Sequence, residues 1–279
     1  MSYKNFVPRI WSNKIQTELV RESVFAADCN REYEGAVKEC GDSVRILGVG
    51  KPTINHQVGG KVKLESPEEV QSSSTTLYVN EIAYFNFGVG DIDRAQSKND
   101  VMRTLMQEST EGLANQVDMS IAKLAADKTA KKLAGAEAGV ELTADNVLDY
   151  VDQCILALLE NDVKRSTKIF ATVPPWFWML VKNKLTSVDT DNSGRIRTLD
   201  IGNYGNVQFR CSNNVAVNGG LSLPMFRTKG AIAAVQPLTH VEPYRPEAGF
   251  EDAVKGYTLY GQKIVRPKEL IVLPCKRKA

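Results

Sequence analysis

The stretch Leu77-Tyr78-Val79-Asn80-Glu81-Ile82-Ala83-Tyr84-Phe85-Asn86-Phe87-Gly88-Val89 puts Leu77, Val79, Ala83, Phe85, Phe87 and Val89 on one side of an extended chain, with Glu81 as an interruption. Alternation at period two, rich in aromatic and β-branched residues, reads as a long half-buried strand. Shortly after it the period changes. From Asn99 onward Met102, Leu105, Met106, Leu113, Val117, Ile121, Leu124 and Ala125 recur mostly three or four apart, and nothing halts the pattern before Gly135. The spacing predicts an amphipathic helix over Asn99 to Ala134, about 54 Å long at roughly 1.5 Å per residue. The mean globular helix has only about 11–12 residues. Asp100 suits the positive helix start, and Gly112 is a weak point within the helix.

Upstream, Ser43 to Gly48 alternates with Val44 and Ile46 on one face and reads as a strand. Gly59-Gly60 signals a turn, and Lys61 to Leu64 reads as a second, weaker strand. The residues between and after are polar: Lys51, Asn55, His56 and Gln57, then Glu65 to Thr76. A hairpin with so few large apolar side chains does not hold itself together in water, so it is expected to project and lean on another surface. Residues 1–40 carry a broken helical pattern (Ile10, Trp11, Ile15, Leu19, Val24, Phe25) and read as an arm whose burial lies on a neighbour.

Downstream, Gly135 to Leu142 reads as a loop and Thr143 as the N-cap of a second helix with a stripe of Val147, Leu148, Val151, Cys154, Ile155, Leu158 and Leu159. Lys168 to Val173 reads as a strand. Pro174-Pro175 then opens a third helix, Trp176 to Leu185. Thr143 to about Ala234 is therefore expected to form a second domain with its own core. The chain closes on strands at Val254 to Tyr260, Lys263 to Val265 and Leu270 to Leu273, with a break at Gly261.

Composition narrows the function classes. In 279 residues the net charge is +2, with 43% hydrophobic and 24% charged residues. These ordinary globular values exclude a disordered chain, a collagen-like chain and a strongly basic nucleic-acid binder. No apolar run approaches the roughly 20 residues of a membrane helix. The N-terminal region lacks the apolar core of a signal peptide. The five cysteines (Cys29, Cys40, Cys154, Cys211, Cys275) are odd in number and contain no C-x-x-C, so neither a disulfide framework nor a zinc site of usual spacing is expected.

Candidate chemistry is sparse. Asp189, Asp191 and Ser193 supply oxygens at relative positions 1, 3 and 5 of a loop, with Gly194 at 6, Ile196 at 8 and Asp200 at 12, which resembles a calcium loop of the EF-hand type. Asp200 reaches less far than the usual bidentate Glu, and Ile201 to Gly205 cannot supply the following helix; a polar surface turn accounts for the composition. Ser120-Ile121-Ala122-Lys123 and Ser212-Asn213-Asn214 caricature a penicillin-binding serine enzyme, but Thr228-Lys229-Gly230 stands in the wrong order for its third element. With only His56 and His240, a Ser-His or Cys-His nucleophile is hard to build. No phosphate-cradling glycine loop is present, and no cofactor is expected. Trp176, Phe177 and Trp178 read as helix packing rather than a stacking platform for bases. Elements that cannot stabilise themselves point instead to a subunit completed by its neighbours.

The runs Gly41-Asp42-Ser43-Val44-Arg45-Ile46, Leu77 to Phe87, Asp91-Ile92-Asp93-Arg94-Ala95-Gln96, Asn214 after a strand, and the closing Val254 to Pro267 together resemble, in order and over nearly the whole chain, tailed-bacteriophage major capsid proteins of the Hong Kong 97 type. The resemblance implies an α+β fold with an N-terminal arm (1–40), an extended E-loop hairpin (41–76), a P domain (77–142) with its spine helix at about 99–134, an A domain (143–234) and P-domain return strands (235–279). It implies a homo-oligomer of hexamers and pentamers closing into an icosahedral shell. That shell would enclose double-stranded DNA non-specifically, with a separate scaffolding protein and a portal as partners, in a virion capsid assembled in the host cytoplasm. Each E-loop would lie over the adjacent subunit and each arm would clasp another, so Phe6, Trp11, Lys51, His56, Lys61, Lys63 and Glu68 are the expected subunit contacts. No Lys–Asn–Glu triad matches, so covalent crosslinking is not expected. The alternatives are a nanocompartment shell around protein cargo, or a calcium-binding module built on Asp189 to Asp200.

Overall fold

In the computed structural model the placed residues are 23–34, 43–49, 56, 59, 72–90, 101–187, 203–247 and 251–278. The opening stretch divides in two. Strand β1, Ser43–Val49, pairs antiparallel with β2, Ser72–Tyr78, and β3 follows at Glu81–Gly90. The expected single strand over Leu77–Val89 thus breaks at Val79-Asn80, where the chain leaves the hairpin and enters a different sheet. The expected partner strand at Lys61–Leu64 lies outside the described residues; the pairing found for β1 runs from Ser43 opposite Tyr78 to Val49 opposite Ser72.

Helix α1, Val101–Lys123, is shorter than the expected Asn99–Ala134. A 3-10 turn at Leu124–Ala126 ends it, and the Asp127 carboxylate accepts the Thr129 N–H at 3.0 Å, holding a turn that competes with helix. Ala125, Ala130 and Leu133 stay buried beyond that point, which is why helical spacing persists in sequence after the helix has stopped. Strand β4 (Lys131–Lys132) takes the place of the expected last turn of that helix, and β5 (Val140–Leu142) lies in the region expected to be loop.

Helix α2, Val147–Glu160, starts at Asn146 rather than Thr143. The Thr143 carbonyl accepts the Val147 N–H at 3.2 Å, and the Thr143 N–H donates to Asn146 Oδ1 at 2.8 Å. Strand β6 (Ile169–Val173) and helix α3 (Pro175–Ser187) fall where the proline pair puts them. Next come β7 (Asn203–Tyr204), β8 (Val207–Cys211), β9 (Val217–Asn218), β10 (Leu221–Ser222) and β11 (Met225–Arg227). The chain ends with β12 (Ile232–Tyr244), β13 (Glu251–Ile264), β14 (Leu270–Val272) and β15 (Cys275–Arg277).

Two main layers result. One is the antiparallel sheet β12-β13-β3, with α1 packed on it through Met106, Leu113, Val117 and Ile121. Strand β12 lies at the edge, where Pro237 and Pro243, lacking N–H donors, are tolerated; its register slips between Val235 and Leu238. The other is the mixed sheet β4-β14-β11-β6-β8-β7, against which α2 and α3 bury Val151, Leu158, Phe177 and Trp178. A smaller sheet, β5-β15-β10-β9, flanks it. The closing segment 235–279 is therefore not one return unit: β12 and β13 join α1, whereas β14 and β15 pair with β11 and β10.

Contrary to the expected break, Gly261 does not interrupt the last long strand; β13 runs through it. A Cβ there would stand 2.3 Å from the Tyr78 carbonyl oxygen. Only glycine lets the β2–β3 crossover lie against β13 at this point. The hairpin base is tied down by a small cluster of Ile46, Leu77, Val79, Ala233, Val235 and Leu259.

Candidate functional site

Three surfaces follow from this architecture. The first is the anchorage of the segment that emerges from the N-terminal region. Its backbone N–H groups at Val24, Phe25 and Ala26 donate to the Asp118 carboxylate of α1 at 2.6, 3.1 and 3.1 Å. From the other side, Arg227 of β11 donates through Nη1 to the Asp28 carbonyl at 2.5 Å and through Nη2 to the Phe25 carbonyl at 2.9 Å. Arg210 of β8 pairs with the Asp28 carboxylate at 3.1 Å. Asn30 then bridges to β12, donating to the Ile232 carbonyl at 2.9 Å and accepting from Ala234 at 3.0 Å. Asp118 and Arg227 are both buried. Burial pushes the Asp118 carboxyl above its usual value although three N–H groups and Arg227 oppose the shift. A short peptide held by a buried acid and a buried base is a fixed pivot for whatever precedes it.

The second surface is the hairpin β1–β2, held at its base by the Ile46–Leu77 cluster. The third is the edge of β3, which pairs with no further strand among the described residues. Ile82 is 51% and Tyr84 79% exposed, and both line an open groove of about 370 Å³ together with Phe85, Ser109, Gly112 and Gln116. A Cβ on Gly112 would meet nothing within 4 Å, so the predicted weak point of α1 is a floor for this groove. An unpaired strand edge with exposed aromatic and branched side chains is a template for another chain.

Glu81, the polar residue in the opening stretch, has a task inside the fold. Its carboxylate accepts the Ser120 hydroxyl at 2.6 Å and Gln262 Nε2 at 2.8 Å, tying β3, α1 and β13 together. Ser120 therefore ties elements of the fold together, its hydroxyl also accepting from Gln262 Nε2 at 2.6 Å. Ser212 Oγ accepts the Asn214 N–H, and the Thr228 hydroxyl donates to Glu269. Phe177 and Trp178 are buried, Trp178 lying 5.5 Å from Phe209 between ring centres, so they form core and not a base platform.

Of the expected contact residues, His56 is exposed. Phe6, Trp11, Lys51, Lys61, Lys63 and Glu68 lie outside the described residues, as do Asp189, Asp191, Ser193 and Asp200 of the calcium-like loop. Among the described residues no three metal-ligating side chains converge, and no helix is long and apolar enough to cross a membrane. Sequence reasoning missed Asp118, Arg227, Asp28 and Arg210, because partners 92 to 202 residues apart leave no local pattern.

No family model and no curated protein matches this chain. Solved structures do. The chain is similar to a structure of Mycobacterium phage Che8 at 23% identity, covering 90% of each chain with a TM-score of 0.73. It is similar to the capsid of Cyanophage P-SCSP1u at 15% identity, covering 86% of this chain and 85% of that one with a TM-score of 0.66. It is also similar to a virus-like particle from Pyrococcus furiosus at 13% identity, covering 95% of this chain and 98% of that one with a TM-score of 0.60. The chain has the α+β fold of tailed-phage major capsid proteins.

Proposed function

We propose that this chain is a major capsid subunit which assembles through pentamers and hexamers into an icosahedral shell around double-stranded phage DNA. The likeness to phage capsids over most of both chains carries the reading. The hairpin, the β3 edge and the anchored pivot support it, because each is a surface that a neighbour would complete. In this reading residues 1–40 form the arm, 41–76 the E-loop, 77–142 the P domain with α1 as its spine, joined by β12 and β13, and the stretch from 143 up to the start of β12, joined by β14 and β15, the A domain. Phe6 and Trp11 clasp one neighbour, while Lys51, His56, Lys61, Lys63 and Glu68 meet another. A scaffolding protein and a portal complete the assembly in the host cytoplasm.

Shell strength then comes from repetition. Each contact is modest, and symmetry multiplies it. Near-neutral net charge favours close self-association, and contacts to enclosed DNA are directed at phosphate rather than sequence. Sedimentation velocity of the purified full chain tests the reading. Capsomer- or shell-sized species support it; a protein that stays monomeric even when co-expressed with a scaffold contradicts it. The likeness to the Pyrococcus furiosus virus-like particle supports shell formation, and the second reading is a shell around protein cargo instead of DNA. Particles that contain protein and no nucleic acid would select it.

A further inference from the structure

The outer face of α2 and a cleft just beyond its C-terminal end carry opposite charge. Helix α2 contains no Lys, Arg or His. Its exposed ridge presents Asp149, Asp152 and Glu160, spaced to share one face, with Leu156 at 55% exposure among them. The ridge is thus one apolar side chain inside an acidic surround, a surface whose charge a basic cleft would complement. The cleft, of about 500 Å³, has Val163 and Phe170 among its lining residues and Lys164, Lys168, Lys229 and Arg266 as its cations. Asp162 and Glu269 also line it, but Glu269 is engaged by Arg266 at 3.1 Å and by the Thr228 hydroxyl. Lys164, Lys168 and Lys229 are exposed and make no salt bridge among the described residues.

We propose that the cleft receives the α2 ridge of a second copy of this chain, Leu156 entering over Phe170 while Asp149 and Glu160 meet the lysines. The contact rests on the self-assembly reading above and specifies one of its interfaces. It is heterologous, a ridge on one copy meeting a cleft on the next, and such contacts build rings rather than closed pairs.

Charge reversal with rescue tests it in the full chain. Asp149→Lys/Glu160→Lys and Lys164→Glu/Lys229→Glu are each expected to raise the protein concentration needed for assembly about tenfold. Thermal melting, followed by circular dichroism, is expected to stay that of wild type. The four substitutions combined restore assembly. Leu156→Ser, which changes no charge, weakens assembly without altering its salt dependence. Either charge pair assembling like wild type, or a combined variant no better than its parents while still folded, overturns the contact. A cleft variant that assembles normally but fails to retain DNA overturns it too, and makes nucleic acid the occupant. Wild-type protein that never assembles refutes the subunit reading itself, a result distinct from unaffected variants of an assembling wild type.

Discussion

Replacing Asp118 tests the pivot directly. Its Oδ1 accepts the N–H groups of Phe25 and Ala26, and its Oδ2 accepts that of Val24. Asparagine keeps one oxygen for Phe25 and Ala26 but turns an NH2 toward Val24, leaving one donor without an acceptor. At about 1–3 kcal/mol for an unsatisfied buried group, Asp118→Asn destabilises by about 1–2 kcal/mol. Alanine removes both acceptor oxygens and with them all three hydrogen bonds, and Asp118→Ala destabilises by about 3–5 kcal/mol, a large part of a typical 5–15 kcal/mol. The pH dependence is a second signature. Burial raises the folded-state pKa of this carboxyl above its unfolded value. Between the two values the folded chain binds more protons, so the stability contributed by this group is full below the unfolded value and is lost as pH rises through the folded one. Urea unfolding of wild type, Asp118→Asn and Asp118→Ala across that window measures both effects. Two variants within about 0.5 kcal/mol of wild type, with unchanged pH slopes, would refute the pivot.

Gly261→Ala drives a Cβ to within 2.3 Å of the Tyr78 oxygen and is expected to destabilise by about 1–3 kcal/mol in urea unfolding; no loss would show that the crossover does not press on β13. Tyr84 is 79% exposed, so Tyr84→Glu is expected to leave stability within about 0.5 kcal/mol while reducing assembly in sedimentation velocity; normal assembly would remove the β3 groove from the contact set. Burial pushes the Cys275 thiol up to about 12 and the Cys154 thiol higher still, whereas Cys211 is exposed. Peptide mapping after brief alkylation of the folded chain should find Cys211 labelled ahead of Cys29, Cys154 and Cys275, and the reverse order would contradict this packing.

The parts of the fold legible in sequence are those whose burial is periodic along one element. Strand β3, the α2 stripe and the proline-started α3 all belong to this class. The end of α1 was hidden because Ala125, Ala130 and Leu133 keep a helical spacing while an aspartate turn redirects the backbone. Gly261 reads as a break because its reason, the Tyr78 carbonyl, comes from far away in the chain. The division of the closing strands between two sheets is likewise set by partners and not by local pattern: β14 needs β11, and β13 needs β3. In the candidate site, the expectation that the hairpin leans on another surface rests on its polar composition, most of which lies outside the described residues. The Asp118–Arg227 grip was not legible, since a buried acid and base in two distant elements look like ordinary surface charge until the chain is folded.

Negative-stain electron microscopy of the purified full chain, alone and co-expressed with a candidate scaffolding protein, tests the central claim most directly. Uniform closed particles, or rings of five and six subunits that close when a scaffold is supplied, are the predicted result. A compact monomer under every one of these conditions would contradict the account.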